Sequence, residues 1–164
     1  AEGLPALFCD CETCRRARDI GGKEVRTRTQ SLVDGKILLD FPPDTYAHAL
    51  RHSLRLGQIQ HLLVTHSHMD HFFPVELIHR HEHFGHHAKG MLHVYGNAAV
   101  EKAFYDAVLI DRFQVHPLDD AVRFIRLDPF VDFMADGYHI IPIPADHDKR
   151  ETCLILVEVV YYRN

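Results

Sequence analysis

The chain has 164 residues, 46% hydrophobic and 25% charged, which excludes a disordered chain, a collagen-like chain and a disulfide-stapled miniprotein. Its length predicts one domain over residues 1–164. The net charge of −5 disfavours a protein that grips a nucleic-acid backbone, and no apolar run is long enough to span a membrane. Because no secretory leader or disulfide framework is visible, we expect a cytoplasmic protein.

The N-terminal part of the chain predicts irregular structure followed by a β-hairpin and a helix. Residues 1–26 carry glycine, proline and three crowded cysteines, and they predict no regular element. Two short apolar runs then flank Asp34-Gly35 within residues 29–40, which is a strong hairpin signal. Asp44 is placed to cap a helix that runs to Leu56. We expect the apolar face of this helix to consist of Ala47, Leu50 and Leu54.

Strands and helices alternate through the remainder of the chain, which indicates an α/β or α+β fold. Further helices are predicted from Pro74 to Arg80 and, capped by Asn97, from Ala98 to Leu109. Between them, the histidine-rich residues 81–90 predict a surface loop. Strands are predicted over residues 61–65, 91–95, 113–115, 122–127, 139–143 and 154–161.

One short segment, His66-Ser67-His68-Met69-Asp70-His71, carries the strongest chemical signal in the chain. It follows the apolar strand 61–65, and imidazole and carboxylate are ligands that Zn, Mn and Fe accept. His66 and His68 are two residues apart, so on extended backbone they project to the same side and could bind one metal. Asp70 and His71 lie at the following turn and could bind a second metal, roughly 3.5–4 Å from the first. The competing interpretation is a loop of solvated histidines.

This segment matches the HxHxDH signature of the metallo-β-lactamase fold hydrolases, and the resemblance covers the whole chain. It implies an α/β fold, the αββα sandwich, incomplete at both ends. The hairpin that ends in Asp40 resembles the early strand and Asp of that family. The segment Pro144–Asp148 resembles its later motif, which implies that His147 is the third ligand of the first metal, with His66 and His68. A metal-bridging Asp and a last His are expected beyond residue 164.

A cluster of three cysteines extends the resemblance to one branch of this family. Cys9, Cys11 and Cys14 form a CxCxxC pattern that suits a structural zinc site, with one ligand supplied from elsewhere; the alternative is three unligated thiols in a loop. Together with HxHxDH, this cluster resembles the PhnP-like phosphodiesterase branch of the family. PqqB, a cofactor-synthesis protein of the same superfamily, has a similar cluster.

The resemblance implies a metal-dependent hydrolase, most specifically a phosphodiesterase that cleaves a small or cyclic phosphodiester through a hydroxide held by two metals. The implied cofactors are two divalent metals, Zn or Mn, plus a structural Zn at the cysteines. Asp70 is the candidate catalytic residue, because it could orient the nucleophile or take its proton. The expected partner is a small phosphorylated substrate, not a membrane or a nucleic acid, and a homodimer stays open.

Two other classes of function remain open at this stage. One is a different hydrolase of the same fold, which cleaves RNA 3′ ends, thioesters or lactams. The other is a non-catalytic, PqqB-like carrier. The remaining histidines are not expected to be site ligands. A polar lid or surface loop is expected for His79, His81, His83, His86 and His87, and ordinary surface or half-buried positions are expected for His48, His52, His61, His93, His116 and His139.

Overall fold

A computed structural model of the protein describes residues 2–110, 118–147 and 150–159. These residues contain three α-helices and eight strands, in agreement with the α/β fold that the sequence predicts. The helices are α1 (Glu12–Ile20), α2 (Thr45–His52) and α3 (Ala98–Ile110). The strands are β1 (Ser31–Val33), β2 (Ile37–Leu39), β3 (His61–Leu63), β4 (Leu92–Gly96), β5 (Val122–Arg126), β6 (Phe133–Ala135), β7 (Tyr138–His147) and β8 (Arg150–Val159).

The first five strands form one sheet in the order β1-β2-β3-β4-β5. The predicted hairpin is confirmed, because β1 pairs antiparallel with β2 across a turn in which Asp34 and Gly35 have φ of 47° and 70°. β2, β3, β4 and β5 are parallel neighbours. Their carboxyl ends therefore meet at one edge of the sheet, where ligands of α/β proteins commonly bind.

Each face of this sheet has its own apolar core, since side chains alternate along a strand. One face carries Leu38, Leu62 and Val94, which pack against Val100 and Phe104 of α3 and Leu77 of the 3-10 helix Pro74–Arg80. The opposite face carries Ile37, Leu63 and Tyr95, which pack against Ala135, Tyr138 and Ile140 of the second sheet. These elements form three layers: helix, sheet and sheet.

The second sheet is antiparallel, in the order β6-β7-β8. β7 and β8 are paired over their full lengths, from Tyr138 opposite Val159 to His147 opposite Arg150. β7 is longer than the predicted strand 139–143. A turn at Asp136-Gly137 connects β6 to β7. The predicted strand 113–115 and the last two residues of the predicted strand 154–161 lie outside the described residues.

The expectation that residues 1–26 are irregular is wrong, because α1 lies within them. Cys11 precedes its first turn, which contains Glu12, and Gly21 ends it with φ of 64°. An acidic residue in the first turn and a glycine at the end both favour a short helix. Cys14 and Ala17, three residues apart, form its buried face.

The prediction for α2 is also partly wrong. The helix ends at His52, because Ser53 adopts the left-handed conformation with φ of 53°. Asp44 precedes the helix, but its carboxylate accepts hydrogen bonds from the amide (2.8 Å) and guanidinium (3.1 Å) of Arg28 and makes no side-chain cap. Ala47 and Leu50 are exposed, so the expected apolar face does not exist.

The buried face of α2 is polar, formed by Thr45 and His48. His48 was expected at the surface or half-buried, but only 8% of it is exposed. Its Nδ1–H donates to Gln30 Oε1 at 2.8 Å, and its Nε2 accepts from Thr27 Oγ1 at 2.7 Å. Gln30 Nε2 in turn donates to Thr45 Oγ1 and to the carbonyl of Asp40, both at 3.0 Å. This network ties α2 to the segment that precedes the hairpin.

The 3-10 helix Pro74–Arg80 covers an apolar cavity of about 220 Å³. The helix occupies the predicted bounds, with Pro74 in its first turn. The following residues 81–90 form turns, as predicted for a surface loop. Among the described residues, no helix is long and apolar enough to cross a membrane.

The central strand should dominate the stability of the fold. Leu62 is 0% exposed, so Leu62→Ala should lower the free energy of unfolding by about 2–5 kcal/mol through lost burial and a residual cavity. Leu50→Ala is the matched control, because Leu50 is 66% exposed and its truncation should change stability by less than about 0.5 kcal/mol. Urea unfolding measures both; equal effects would contradict the layered core.

The polar network at α2 should make stability depend on pH. Burial lowers the pKa of His48 below its usual 6.5. Just below pH 6.5, the unfolded chain therefore binds a proton at this imidazole while the folded protein keeps it neutral. Its contribution to stability should be complete above pH 6.5 and decline as pH falls below that value, by at most about 1.4 kcal/mol per pH unit. In His48→Gln this dependence should weaken, whereas in His52→Gln it should persist. Chemical unfolding between pH 5 and 8 measures the difference, and identical profiles for wild type and His48→Gln would refute it.

Candidate metal centre

The candidate centre lies at the carboxyl ends of β2 and β3. After β3 the chain turns within residues 66–71, and the amides of His71 and Phe72 donate to the carbonyl of His68 at 2.9 and 2.8 Å. Phe41, which follows β2, donates to the carbonyl of His71 and accepts from the amide of Phe73, both at 2.7 Å. The turn is therefore fixed to the neighbouring strand by backbone hydrogen bonds on both sides.

Two groups of ligand-type side chains form at this turn. Ligand atoms of His66, His68 and His147 all lie within 4.8 Å of one another, and the same is true of His66, Asp70 and His71. The ring centroid of His66 is 4.8 Å from that of His68, 4.2 Å from that of His71 and 5.1 Å from that of His147. His66 is thus shared by both groups.

The burial and hydrogen bonding of His66 indicate whether these residues could bind a metal ion. It is buried, and its Nε2 has no hydrogen-bond partner among the described residues. Burial, reinforced by the imidazoles of His71, His68 and His147, lowers the pKa of His66 to about 4. A buried nitrogen lone pair that meets neither a hydrogen-bond donor nor a metal ion costs folding free energy. A metal ion bound to this nitrogen removes that cost. The donor set therefore fits a divalent metal.

The carboxylate of Asp40 contacts the second group, that of His66, Asp70 and His71, through His71. Its Oδ2 accepts a hydrogen bond from His71 Nδ1 at 2.7 Å, which leaves Nε2 of His71 directed towards Asp70 Oδ2, 3.5 Å away. A carboxylate that holds the far nitrogen of a metal-binding histidine fixes its orientation and its tautomer. Asp40 also accepts hydrogen bonds from the amide and hydroxyl of Thr65.

His147 reaches the centre from the other sheet. It is the last residue of β7, opposite Arg150 of β8, and it is exposed. Its ring centroid lies 5.4 Å from that of His68, which is half-buried. The group of three histidines therefore spans the two sheets and is open to solvent on the His147 side.

The cysteine cluster forms a third group at the start of α1. Ligand atoms of Cys9, Cys11 and Cys14 lie within 4.8 Å of one another. The amide of Cys14, assisted by the thiols of Cys9 and Cys14, lowers the pKa of Cys11 to about 7, so its thiolate is accessible near neutral pH. Three thiols at this separation suit a zinc ion.

The structure thus brings together all of the predicted ligands, in three groups. Sequence reasoning missed two features: that His66 belongs to both histidine groups, and that Thr65 contacts His66 and Asp40. The position of Thr65, directly before the HxHxDH motif, was the only available signal. The candidate metal groups of the described residues contain none of the five histidines between His79 and His87.

Comparison with known proteins places the chain in a family. The family model described as "Anti-Pycsar protein Apyc1" matches residues 30–163. The chain belongs to this family. The matched range includes all of the histidine and aspartate ligands but begins after the three cysteines. Family membership therefore bears on the histidine centre and not on the cysteine cluster.

Solved structures show the fold. A new diphosphatase from the PhnP family has a TM-score of 0.71 and 22% identity, over 95% of this chain and 58% of that chain. Zn²⁺-bound PqqB from Methylobacterium extorquens has a TM-score of 0.70 and 19% identity, over 97% and 56%. The metallo-β-lactamase fold protein YhfI from Bacillus subtilis has a TM-score of 0.60 and 14% identity, over 81% and 52%.

The protein therefore has the metallo-β-lactamase fold, as the sequence motif implied. The chain spans 58% of the length of the PhnP-family diphosphatase and 56% of that of PqqB. No curated protein matches it significantly.

The shared position of His66 leads to a prediction for metal binding. Because the Nε2 of His66 is buried and has no hydrogen-bond partner among the described residues, whereas His147 is exposed, His66→Ala should reduce bound Zn²⁺ or Mn²⁺ more than His147→Ala. His52→Ala, at an exposed position at the end of α2, is the matched control and should bind metal as the wild type does. Mass-spectrometric metal analysis after dialysis measures the amount bound; equal losses in His66→Ala and His52→Ala would contradict the assignment.

Proposed function

We propose that the protein is a metal-dependent hydrolase whose substrate is a small or cyclic phosphodiester. The observation that carries the proposal is the pair of ligand groups that share His66. His66, His68 and His147 would hold one divalent ion, Zn or Mn, and Asp70 and His71, beside His66, would hold a second. Two such ions supply Lewis-acid polarisation of the substrate, acidification of water and compensation for the charge of the transition state.

The protein's own residues contribute orientation and proton transfer. His71 is held by Asp40, so its Nε2 and the carboxylate of Asp70 face the same space. Asp70 is mostly buried, yet it lies next to exposed Met69, at the margin of the site. A carboxylate in this position can orient an attacking water and accept its proton at the oxygen that is not engaged as a ligand.

The substrate class rests on similarity. One structural neighbour is named a diphosphatase of the PhnP family, which supports chemistry at phosphorus. The CxCxxC cluster adds a second resemblance to that branch, and we propose that it holds a structural zinc. The net charge of −5 favours a small substrate, held locally by metal ions, over a long nucleic acid.

A non-catalytic, PqqB-like function is the second candidate. It is favoured by the similarity to Zn²⁺-bound PqqB, which covers 97% of this chain at a TM-score nearly equal to that of the diphosphatase. A carrier would need the fold and the cysteine site, but it would not need the second group of His66, Asp70 and His71. A measurement of hydrolytic turnover distinguishes the hydrolase from the carrier.

The test is hydrolysis of bis(p-nitrophenyl) phosphate with added Mn²⁺ or Zn²⁺. We expect turnover of this diester, little of p-nitrophenyl phosphate, and a loss of more than about 100-fold in His68→Ala, because even outer partners of metal ligands contribute about 10- to 100-fold. His52→Ala should retain full activity. Cleavage of a lactam or a thioester instead would support another hydrolase of this fold, and absence of all turnover in a metal-loaded protein would favour the carrier.

A further inference from the structure

The backbone at Asp40 adopts a conformation that needs an explanation. Asp40 is 4% exposed and directly follows β2, and its φ of 61° places a non-glycine residue in the left-handed region. Such a conformation is unfavourable for most residues and persists where the surrounding contacts require it. Both oxygens of the Asp40 carboxylate are used: Oδ1 by Thr65, and Oδ2 by His71 and Thr65.

The hydroxyl of Thr65 lies between this carboxylate and His66. Its Oγ1 is 2.9 Å from Asp40 Oδ1, 3.1 Å from Asp40 Oδ2 and 3.0 Å from His66 Nδ1. A hydroxyl has one proton, and a carboxylate only accepts. The proton of Thr65 therefore points to Asp40, and Thr65 Oγ1 must accept a hydrogen bond from His66 Nδ1–H.

This direction fixes the state of His66. A neutral imidazole has one N–H, so a proton on Nδ1 leaves the lone pair on Nε2. Nε2 is the buried atom that has no hydrogen-bond partner among the described residues. In the same way, His71 Nδ1–H donates to Asp40 Oδ2 and leaves its own lone pair on Nε2.

We propose that Thr65 is a positioning residue through which Asp40 fixes Nε2 as the ligand nitrogen of His66, while Asp40 fixes that of His71 directly. One buried carboxylate thereby prepares a histidine in each of the two metal groups and couples them. The inference rests on the metal centre of the proposed function and is independent of the substrate.

A purely structural role for Thr65 makes a different prediction. Its amide donates to Asp40 Oδ1 at 2.8 Å, and this bond survives any change of side chain. If the side chain only fills space, Thr65→Val, which has nearly the same shape, preserves its function. If the hydroxyl directs the proton of His66, Thr65→Val removes it, whereas Thr65→Ser restores it.

The experiment compares the wild type with Thr65→Val, Thr65→Ser and Asp40→Asn. Long-range proton–nitrogen NMR of the metal-free protein, labelled at histidine, reports the tautomer of each ring, with signals assigned by His66→Ala and His71→Ala. Chelator competition measures the affinity for Zn²⁺. We expect Thr65→Val to lose the single Nδ1–H tautomer at His66 and to bind Zn²⁺ about 10- to 100-fold more weakly, and Thr65→Ser to match the wild type.

Asp40→Asn tests the coupling, because it should alter the signals of both His66 and His71, whereas Thr65→Val should alter mainly His66. An unchanged tautomer and affinity in Thr65→Val would overturn the inference, as would an Asp40→Asn protein in which only His71 responds. Unfolding midpoints confirm that each variant is folded. Because the NMR measurement needs neither metal nor substrate, a protein without hydrolytic activity would disprove the proposed function and leave this result intact.

Discussion

The carboxylate of Asp40 joins the end of β2 to the turn that follows β3, and the geometry of the candidate centre depends on this link. Parallel pairing of β2 with β3 places Leu39 beside Leu63, so the residues that follow each strand emerge together. The amide of Asp40 donates to the carbonyl of Leu63 at 2.9 Å, which continues the pairing by one residue. The carboxylate then accepts hydrogen bonds from side chains that follow β3. The register of β2 against β3 therefore determines where the ligands lie.

Much of this fold follows from short-range sequence signals. Asp34-Gly35 predicted the hairpin, and Asn97 predicted the start of α3, where its Oδ1 accepts from the amides of Ala99 and Val100 at 3.1 and 3.0 Å. The apolar run at residues 61–65 predicted the strand that became β3, which is buried on both faces as parallel strands inside a sheet are. In each case the deciding interaction lies within a few residues of the signal.

Where the sequence prediction was wrong, the deciding contacts are distant in the chain. α2 buries His48 and not Leu50 because Gln30 and Thr27, about twenty residues earlier, supply hydrogen-bond partners. The ligand types were predictable from HxHxDH, but the contact of Thr65 with Asp40 spans 25 residues and depends on strand register. Periodicity and spacing carry no information about such pairs.

His147 is the only member of the two histidine groups that comes from the second sheet, whereas the others follow β3 of the first sheet. Between the sheets themselves the contacts are the apolar core around Tyr95 and Ile140 and a hydrogen bond from the Tyr138 hydroxyl to Asp34, which lies in the hairpin turn at the opposite end of β2 from the metal centre. An ion shared by His66, His68 and His147 would act as a cross-link between the sheets. Binding to the folded state alone stabilises a protein by about 2.7 kcal/mol at a ligand concentration 100 times Kd. The concentration of free metal would then set part of the equilibrium stability of the folded sandwich as well as its chemistry.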